Sequence, residues 1–509
     1  MNEILEALFI VFSLETVSMI LLGVLAGIII GALPGLTVNM GIALLLPLTY
    51  SFQGMTGILL LLGVYCGAVY GGSITAILIS TPGTPASAAT VLDGYPMAKK
   101  GEAGRALGLS TLASMFGGLF STVALVMIAP LLAKVATGFS APEYFALAVF
   151  GISIITSVSS QSIIKGLIGG ALGLFIATIG LDPMTSGMRF TFDSIYLMGG
   201  ISFIPVLVGL FAFSQGLLSF EEDNRERLSG QAKILKANIT RILPTWLDFK
   251  RVLPTYIRSS VIGTGIGAVP GVGGDIASFI AYNEAKRWSK HPEEFGHGSP
   301  EGVSAPEAGA NSVAGGAMVP LMTLGIPGDG ATAIIMGAFM VQGLALGPQL
   351  FTDHPVEVNA IFIGLFAANL FMGIMGFMGM RLFARVMDVP RRVLVPVIFI
   401  LCSVGAYAVN HSMTDVFVMM GSGFLAYIMI KLEFSMSPIV IGIILGPMAE
   451  SNLRRALMMS EGDPSVLLTR PICATFLIIA VLTLVLPIVG PKIKSFFRAR
   501  KAAREQESQ

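Results

Sequence analysis

STPGTPASAATVLDGYP at residues 80–96 ends one long apolar run, and GIPGDGATA at residues 325–333 ends another. Neither stretch contains Lys or Arg. Pro82-Gly83 maps onto Pro327-Gly328, Thr84 onto Asp329 and Ser87 onto Thr332 at one offset (327 − 82 = 245). An earlier pair of breaks behaves alike: GALPGL at 31–36 recurs as GAVPGV at 267–272, so Pro34-Gly35 maps onto Pro270-Gly271 (270 − 34 = 236). The offsets differ because the second copy carries the longer insert between its motifs. Two Pro-Gly breaks per half, in one order, read as a duplication.

With 54% hydrophobic and 12% charged residues in 509, the chain lies far from the soluble norm of roughly 25% charged. It reads as an all-α polytopic membrane protein of about 12 helices, since runs of about 20 apolar residues recur along most of its length. The expected organisation is a first membrane repeat at 1–220, a cytoplasmic linker at 221–258, a second repeat at 259–490 and a basic cytoplasmic tail at 491–509. A net charge of +1, confined to a few loops, leaves no basic face for nucleic acid. Cys66, Cys402 and Cys473 lie in apolar segments without CxxC spacing or a neighbouring His, and read as buried hydrophobes. No basic region precedes the first apolar run, so it is expected to stay as a membrane helix.

Basic residues set the expected orientation. The first are Lys99, Lys100 and Arg105; the linker holds eight, and Arg381, Arg385, Arg391 and Arg392 mark another loop. All three clusters read as cytoplasmic. Up to Pro96 the charges are Glu3, Glu6, Glu15 and Asp93. The mixed-charge insert NEAKRWSKHPEEFGHGSPEGVSAPEAGAN is expected to be a solvated loop. Counted literally, the basic loops favour parallel halves, whereas analogy with broken-helix carriers favours inverted ones, so the sequence leaves this open.

Unpaired backbone in hydrocarbon costs several kcal/mol per group, so helices break there only against protein, water or ligand. Paired breaks in two halves point to a transport site. Here Pro34, Gly35, Pro82, Pro270, Gly271 and Pro327 are the breaks. A new helix starting near Thr84–Ser87 would aim its amides and positive dipole end at an anion. Thr81, Gly83, Thr84, Ser87, Gly328, Asp329 and Thr332 are the expected substrate contacts. Without a nearby Lys or Arg, a carboxylate would be held by dipoles and hydroxyls, with charge balanced by Na⁺ or H⁺. Asn39 and Asp275, each five residues after its Pro, join Asp329 as candidate cation ligands, although a helix N-cap role fits both. Glu307 and Asn311, just before the second hairpin, are weaker candidates that a capping role would also explain.

The four His are isolated, with no HExxH, GxSxG or P-loop, so the chain does not read as an enzyme and no resident cofactor or metal is expected. A passive channel or a scaffold without its own coupling is the alternative class.

Through GGSITAILISTPGTPASAATVLDGYPMAKKGEAGRA and GVSAPEAGANSVAGGAMVPLMTLGIPGDGATA the sequence resembles the large membrane subunit of the tripartite tricarboxylate transporter family. The resemblance implies a multi-pass carrier of the bacterial inner membrane, working with a small membrane subunit and a periplasmic solute-binding protein. It also implies uptake of di- or tricarboxylates such as citrate on a Na⁺ or H⁺ gradient. Asp329 departs from the small hydroxyl or glycine expected at its position in that family.

Overall fold

A computed structural model describes residues 2–485 other than 53, 159–161, 183, 230–241 and 387–390. The tail at 491–509 and the centre of the linker lie outside the described residues. The described residues are mainly helical, with a two-residue antiparallel pairing of Gly180–Leu181 and Met188–Arg189. Among them, seven helices are long and apolar enough to cross a membrane, and further apolar helices are shorter.

The chain forms two compact units, 1–137 with 202–428 and 138–201 with 429–509. Each half of the sequence contributes to both. In the second unit, helix Ile163–Ala177 packs on Ser437–Met459 through glycine: a Cβ on Gly173 would stand 2.1 Å from the Ile439 carbonyl oxygen. Beyond these helices Asp182 accepts from the N–H groups of Thr185 and Met184 and pairs with Arg454, which hold its carboxyl below the usual range.

The first unit carries both Pro-Gly pairs. In chain order we label α1 Leu14–Gly31, α2 Val38–Leu45, α3 Thr56–Ile79, α4 Val91–Lys99, α5 Ala103–Ala136, α6 Trp246–Gly267, α7 Gly274–Trp288, α8 Pro300–Leu324, α9 Gly330–Val341 and α10 Pro355–Val386. Helix α1 packs parallel to α3, since Gly23 meets Leu60 and Gly31 meets Ala68. Helix α6 packs likewise on α8, with Gly263 against Gly309 and Gly267 against Val313. At these positions a side chain would strike backbone, so glycine sets how near the axes come. Each break then repeats: Gly35 and Gly271 have φ of +90° and +87°, and α3 and α8 end on left-handed Ser80 and Gly325.

Contacts along the helices also fix direction. Helix α10 runs parallel to α3 (Leu59 with Gly364, Tyr70 with Gly376) and antiparallel to α5 (Thr111 with Gly376, Met115 with Gly373, Asn369 with Gly118). Helix α5 runs parallel to α8 (Gly117 with Ala308, Ser121 with Gly315). The α1–α3 set therefore points opposite to the α6–α8 set. The same geometry brings the basic start of α5 and the basic end of α10, at Arg381 and Arg385, to one end of this unit.

The polar insert departs from the expected loop. Its first residues belong to α7, the loop is confined to about 289–299, and from Pro300 it is α8, almost wholly buried. Ser299 caps α8 by accepting from Gly302 N–H, and Pro300 sits where no donor is needed. Small residues in EGVSAPEAGANSVAGGA then admit close neighbours that a charge count does not register.

At the basic end, Arg105 Nη2 lies 2.5 Å from Asp248 Oδ1, and Asp248 also accepts from Thr245, the N-cap of α6. Burial alone would raise the Asp248 pKa, but the Arg105 and Thr245 hydrogen bonds outweigh it and hold the carboxyl below its ordinary value. A depressed carboxylate stabilises the fold above the unfolded-state pKa of about 3.9 and loses that contribution as pH falls through the lower folded value. Thermal unfolding at neutral pH should show Asp248→Asn less stable than the native protein by about 1 kcal/mol, with the gap closing only under strong acid.

Candidate functional site

Four elements of the first unit converge: the hairpins at 80–87 and 325–332, and the starts of α2 and α7 that follow the earlier breaks. The hairpins are exchanged between the two sets. Ala86 of the first hairpin packs against Gly274 at the start of α7. A Cβ on Gly330 of the second would stand 2.5 Å from Asn39 Nδ2 in α2. Gly83 N–H donates to the Gly72 carbonyl, and Gly271 N–H donates to the Gly328 carbonyl at 2.7 Å, so each hairpin is seated through backbone.

The hairpins differ in build. After Pro82-Gly83 the chain forms a single 3₁₀ turn, Pro85–Ser87, and bends again before α4. The helix expected to start there is absent, because Ser87 is spent on the turn: its Oγ donates to the Thr84 carbonyl at 2.8 Å. One turn of peptide dipoles gives little field. After Pro327-Gly328, by contrast, α9 runs for 12 residues from a complete N-cap. Asp329 Oδ1 accepts from the Thr332 N–H at 2.8 Å, while Oδ2 accepts from the Tyr65 hydroxyl of α3 at 2.5 Å. The carboxylate already occupies the positive end of that helix.

The sequence-selected residues fall into two groups. Thr81 is exposed, Asp329 and Asn39 are half-buried, and Asp275 is exposed and within electrostatic range of Asp329. Pro34, Gly35, Pro82 and Gly271 are half-buried around the breaks. Gly83, Thr84, Ser87, Gly328 and Thr332 are buried in hairpin packing, as are Pro270 and Pro327. Thr84 Oγ1 is the outlier of this group: among the described residues it is buried without a hydrogen-bond partner, and it lies against Gly72. Neither Asn39 nor Asp275 is an N-cap. Thr37 caps α2 by accepting from Met40 N–H, and Gly273 holds the cap position of α7. Among the described residues no group of three or more His, Cys, Asp or Glu side chains could hold a metal ion.

Sequence reasoning missed Tyr65. A tyrosine inside an apolar span is a signal, but only the fold brings it to Asp329, 264 residues away. Glu307 proves fully buried inside α8 rather than at a loop edge. It accepts from Thr90 Oγ1 and from Ser114 Oγ, the latter at 3.1 Å.

Residues 17–441 match the family model described as the tripartite tricarboxylate transporter TctA family. A 52.8 kDa uncharacterized protein of Agrobacterium vitis, from the TAR-I ttuC' 3' region, is 38% identical over 476 residues, covering 93% of each chain. A second from the same organism, in the TAR-II ttuC' 3' region, is 38% identical over 233 residues, 46% of this chain and 96% of its own length. No solved structure matches the chain. With the family model spanning the paired breaks and both hairpins, this multi-pass membrane protein belongs to the tripartite tricarboxylate transporter TctA family.

Proposed function

We propose that the chain is the large permease subunit of a secondary active importer of di- or tricarboxylates such as citrate, residing in the bacterial inner membrane. It works with a small membrane subunit and a periplasmic solute-binding protein, and couples uptake to Na⁺ or H⁺. The observation that carries this reading is the convergence of two exchanged hairpins with two post-break helix starts. We read the opposed α1–α3 and α6–α8 sets as an inverted repeat. Such a pair supplies two states by exchanging the conformations of its halves around one central site.

In this reading the exposed Thr81 hydroxyl receives a substrate carboxylate beside the close backbone turns at Gly83 and Gly328. Thr84, Ser87 and Thr332 hold the hairpins in shape around them. Asn39, Asp275 and Asp329 hold the accompanying cation. The basic loops at Lys99–Arg105 and Arg381–Arg392 face the cytoplasm.

The test is uptake of radiolabelled citrate into proteoliposomes carrying this chain with its small subunit and binding protein. Accumulation above equilibrium, collapsing when ion gradients are dissipated, is expected. Equilibration without accumulation would identify a channel, and no entry despite correct insertion would leave a scaffold. Asp329→Asn keeps the α9 cap but removes the charge, and should lower gradient-driven uptake by at least about tenfold, equivalent to 1.4 kcal/mol of coupling. Tyr65→Phe should show a smaller loss, because Thr332 still holds the carboxylate.

A further inference from the structure

Glu307 lies in the first third of α8 and is 1% exposed. Among the described residues no Lys, Arg or His pairs with it. The elements packed around it present few ionisable groups, and those are engaged elsewhere. Tyr70 of α3 shares a hydrogen bond with Thr111 at 2.9 Å. Asp93 of α4 is bound by the 296–299 backbone and by Tyr282 of α7. Tyr256 of α6 donates to the Leu109 carbonyl, and Asp329 of the second hairpin is held by Tyr65. What faces the carboxyl is hydroxyl: Thr90 on one oxygen and Ser114 of α5 on the other. One turn along α8, Asn311 donates to the Glu307 backbone carbonyl and leaves its own Oδ1 buried without a partner among the described residues.

An isolated charge in such a place is expensive, and ionisable groups kept inside membrane bundles mark ion or proton pathways. Hydroxyl partners suit both protonation states, because each hydroxyl donates to a carboxylate and accepts from a carboxylic acid. A cation would instead fix the charge. Thr90 adds a mechanical link, since it follows directly on the first hairpin and its bond to Glu307 ties that hairpin to the opposed helix set.

From this geometry we propose that Glu307 is the proton-carrying carboxyl of the transport cycle, loaded from outside and unloaded inside, an inference that rests on the carrier reading above. In the step, a carboxylate and one proton from water give the neutral acid, and return of the proton to water restores the charge. The carboxylate grips the Thr90 hydroxyl through a charge-assisted bond, and the neutral acid grips it less strongly, so protonation loosens the first hairpin.

Two measurements on the full chain test this. Infrared difference spectra of the purified protein between acid and alkaline pH should show a protonated-carboxyl band that disappears in Glu307→Gln; a band unchanged in that variant overturns the proposal. In proteoliposomes with both partner subunits and no Na⁺, an inward proton gradient should concentrate radiolabelled citrate. Glu307→Gln should reduce this accumulation at least about tenfold while sparing citrate counterflow, and Glu307→Asp should restore part of it. Accumulation that follows only a Na⁺ gradient, or that survives in Glu307→Gln, removes the proton role and leaves the carrier reading intact. Loss of counterflow in native protein would count against the carrier reading itself, and the infrared band still decides the protonation of Glu307.

Discussion

Asp93→Ala should lower stability by about 3 kcal/mol or more, because four donors lose their acceptor together and two of them, Ser299 N–H and the Tyr282 hydroxyl, are buried. The N–H groups of Gly296, Gly298 and Ser299 converge on Asp93 Oδ1 at 2.9, 2.8 and 2.8 Å, and the Tyr282 hydroxyl donates to Oδ2 at 2.8 Å. Gly296 and Gly298 have φ of +87° and +97°, which turns successive amides toward one point and makes a nest for an anion. The side chain is fully buried, so water has no ready route to replace it. Asp93→Asn keeps one acceptor oxygen but loses charge-assisted bonding, and should fall between the two. Gly302→Ala reaches the same contact from the other side, since its Cβ would stand 2.0 Å from Asp93 Oδ2. A thiol-reactive dye reads the result directly: Cys66, Cys402 and Cys473 are buried, so the dye reports unfolding, and the midpoint should drop in the order native, Asn, Ala. An unchanged midpoint for Asp93→Ala would mean that the nest is not a structural clamp.

That clamp shows where the sequence was readable and where it was not. The repeated Pro-Gly motifs announced the breaks, and both sets of glycines at the breaks and hairpins took the places that their offsets imply. Helix direction was not readable, because it depends on which residues of α3, α5, α8 and α10 touch, and basic-loop counting left it open. Asp93 stood out as the one charge in a long uncharged stretch, but its partners lie more than 180 residues away. Thr84 and Ser87 looked like helix-starting hydroxyls, and the Ser87 side chain closed a tight turn instead. Glu307 stood only as a weaker candidate, because the mixed-charge insert looked solvated, whereas alanine, serine and glycine carry its second part into the core.

Gly83→Ala should impair both folding and transport, and Gly328→Ala should do the same in the opposed half. A Cβ on Gly83 would stand 2.0 Å from the Gly31 carbonyl oxygen and 2.9 Å from Gly72 Cα. On Gly328 it would stand 2.5 Å from the Gly267 carbonyl oxygen and 2.6 Å from Ala317 Cα. The obstructing atoms are backbone in both cases, so no rotamer change relieves them, and the hairpin or the broken helix must move. Overpacking of this kind typically costs about 1–3 kcal/mol. Transport should suffer with stability, because the same displacement shifts Ala86 from Gly274 in the first hairpin and Asp329 from Tyr65 in the second. Gly265→Ala is the control: it lies in α6, its Cβ would meet nothing within 4 Å, and helix propensity favours alanine there by up to about 1 kcal/mol. Citrate uptake in the reconstituted system should fall at least about tenfold for Gly83→Ala and Gly328→Ala and stay at the native level for Gly265→Ala. Equal uptake in all three would show that the hairpins tolerate displacement, and the close seating of Gly83 on Gly31 and of Gly328 on Gly267 would then serve packing alone.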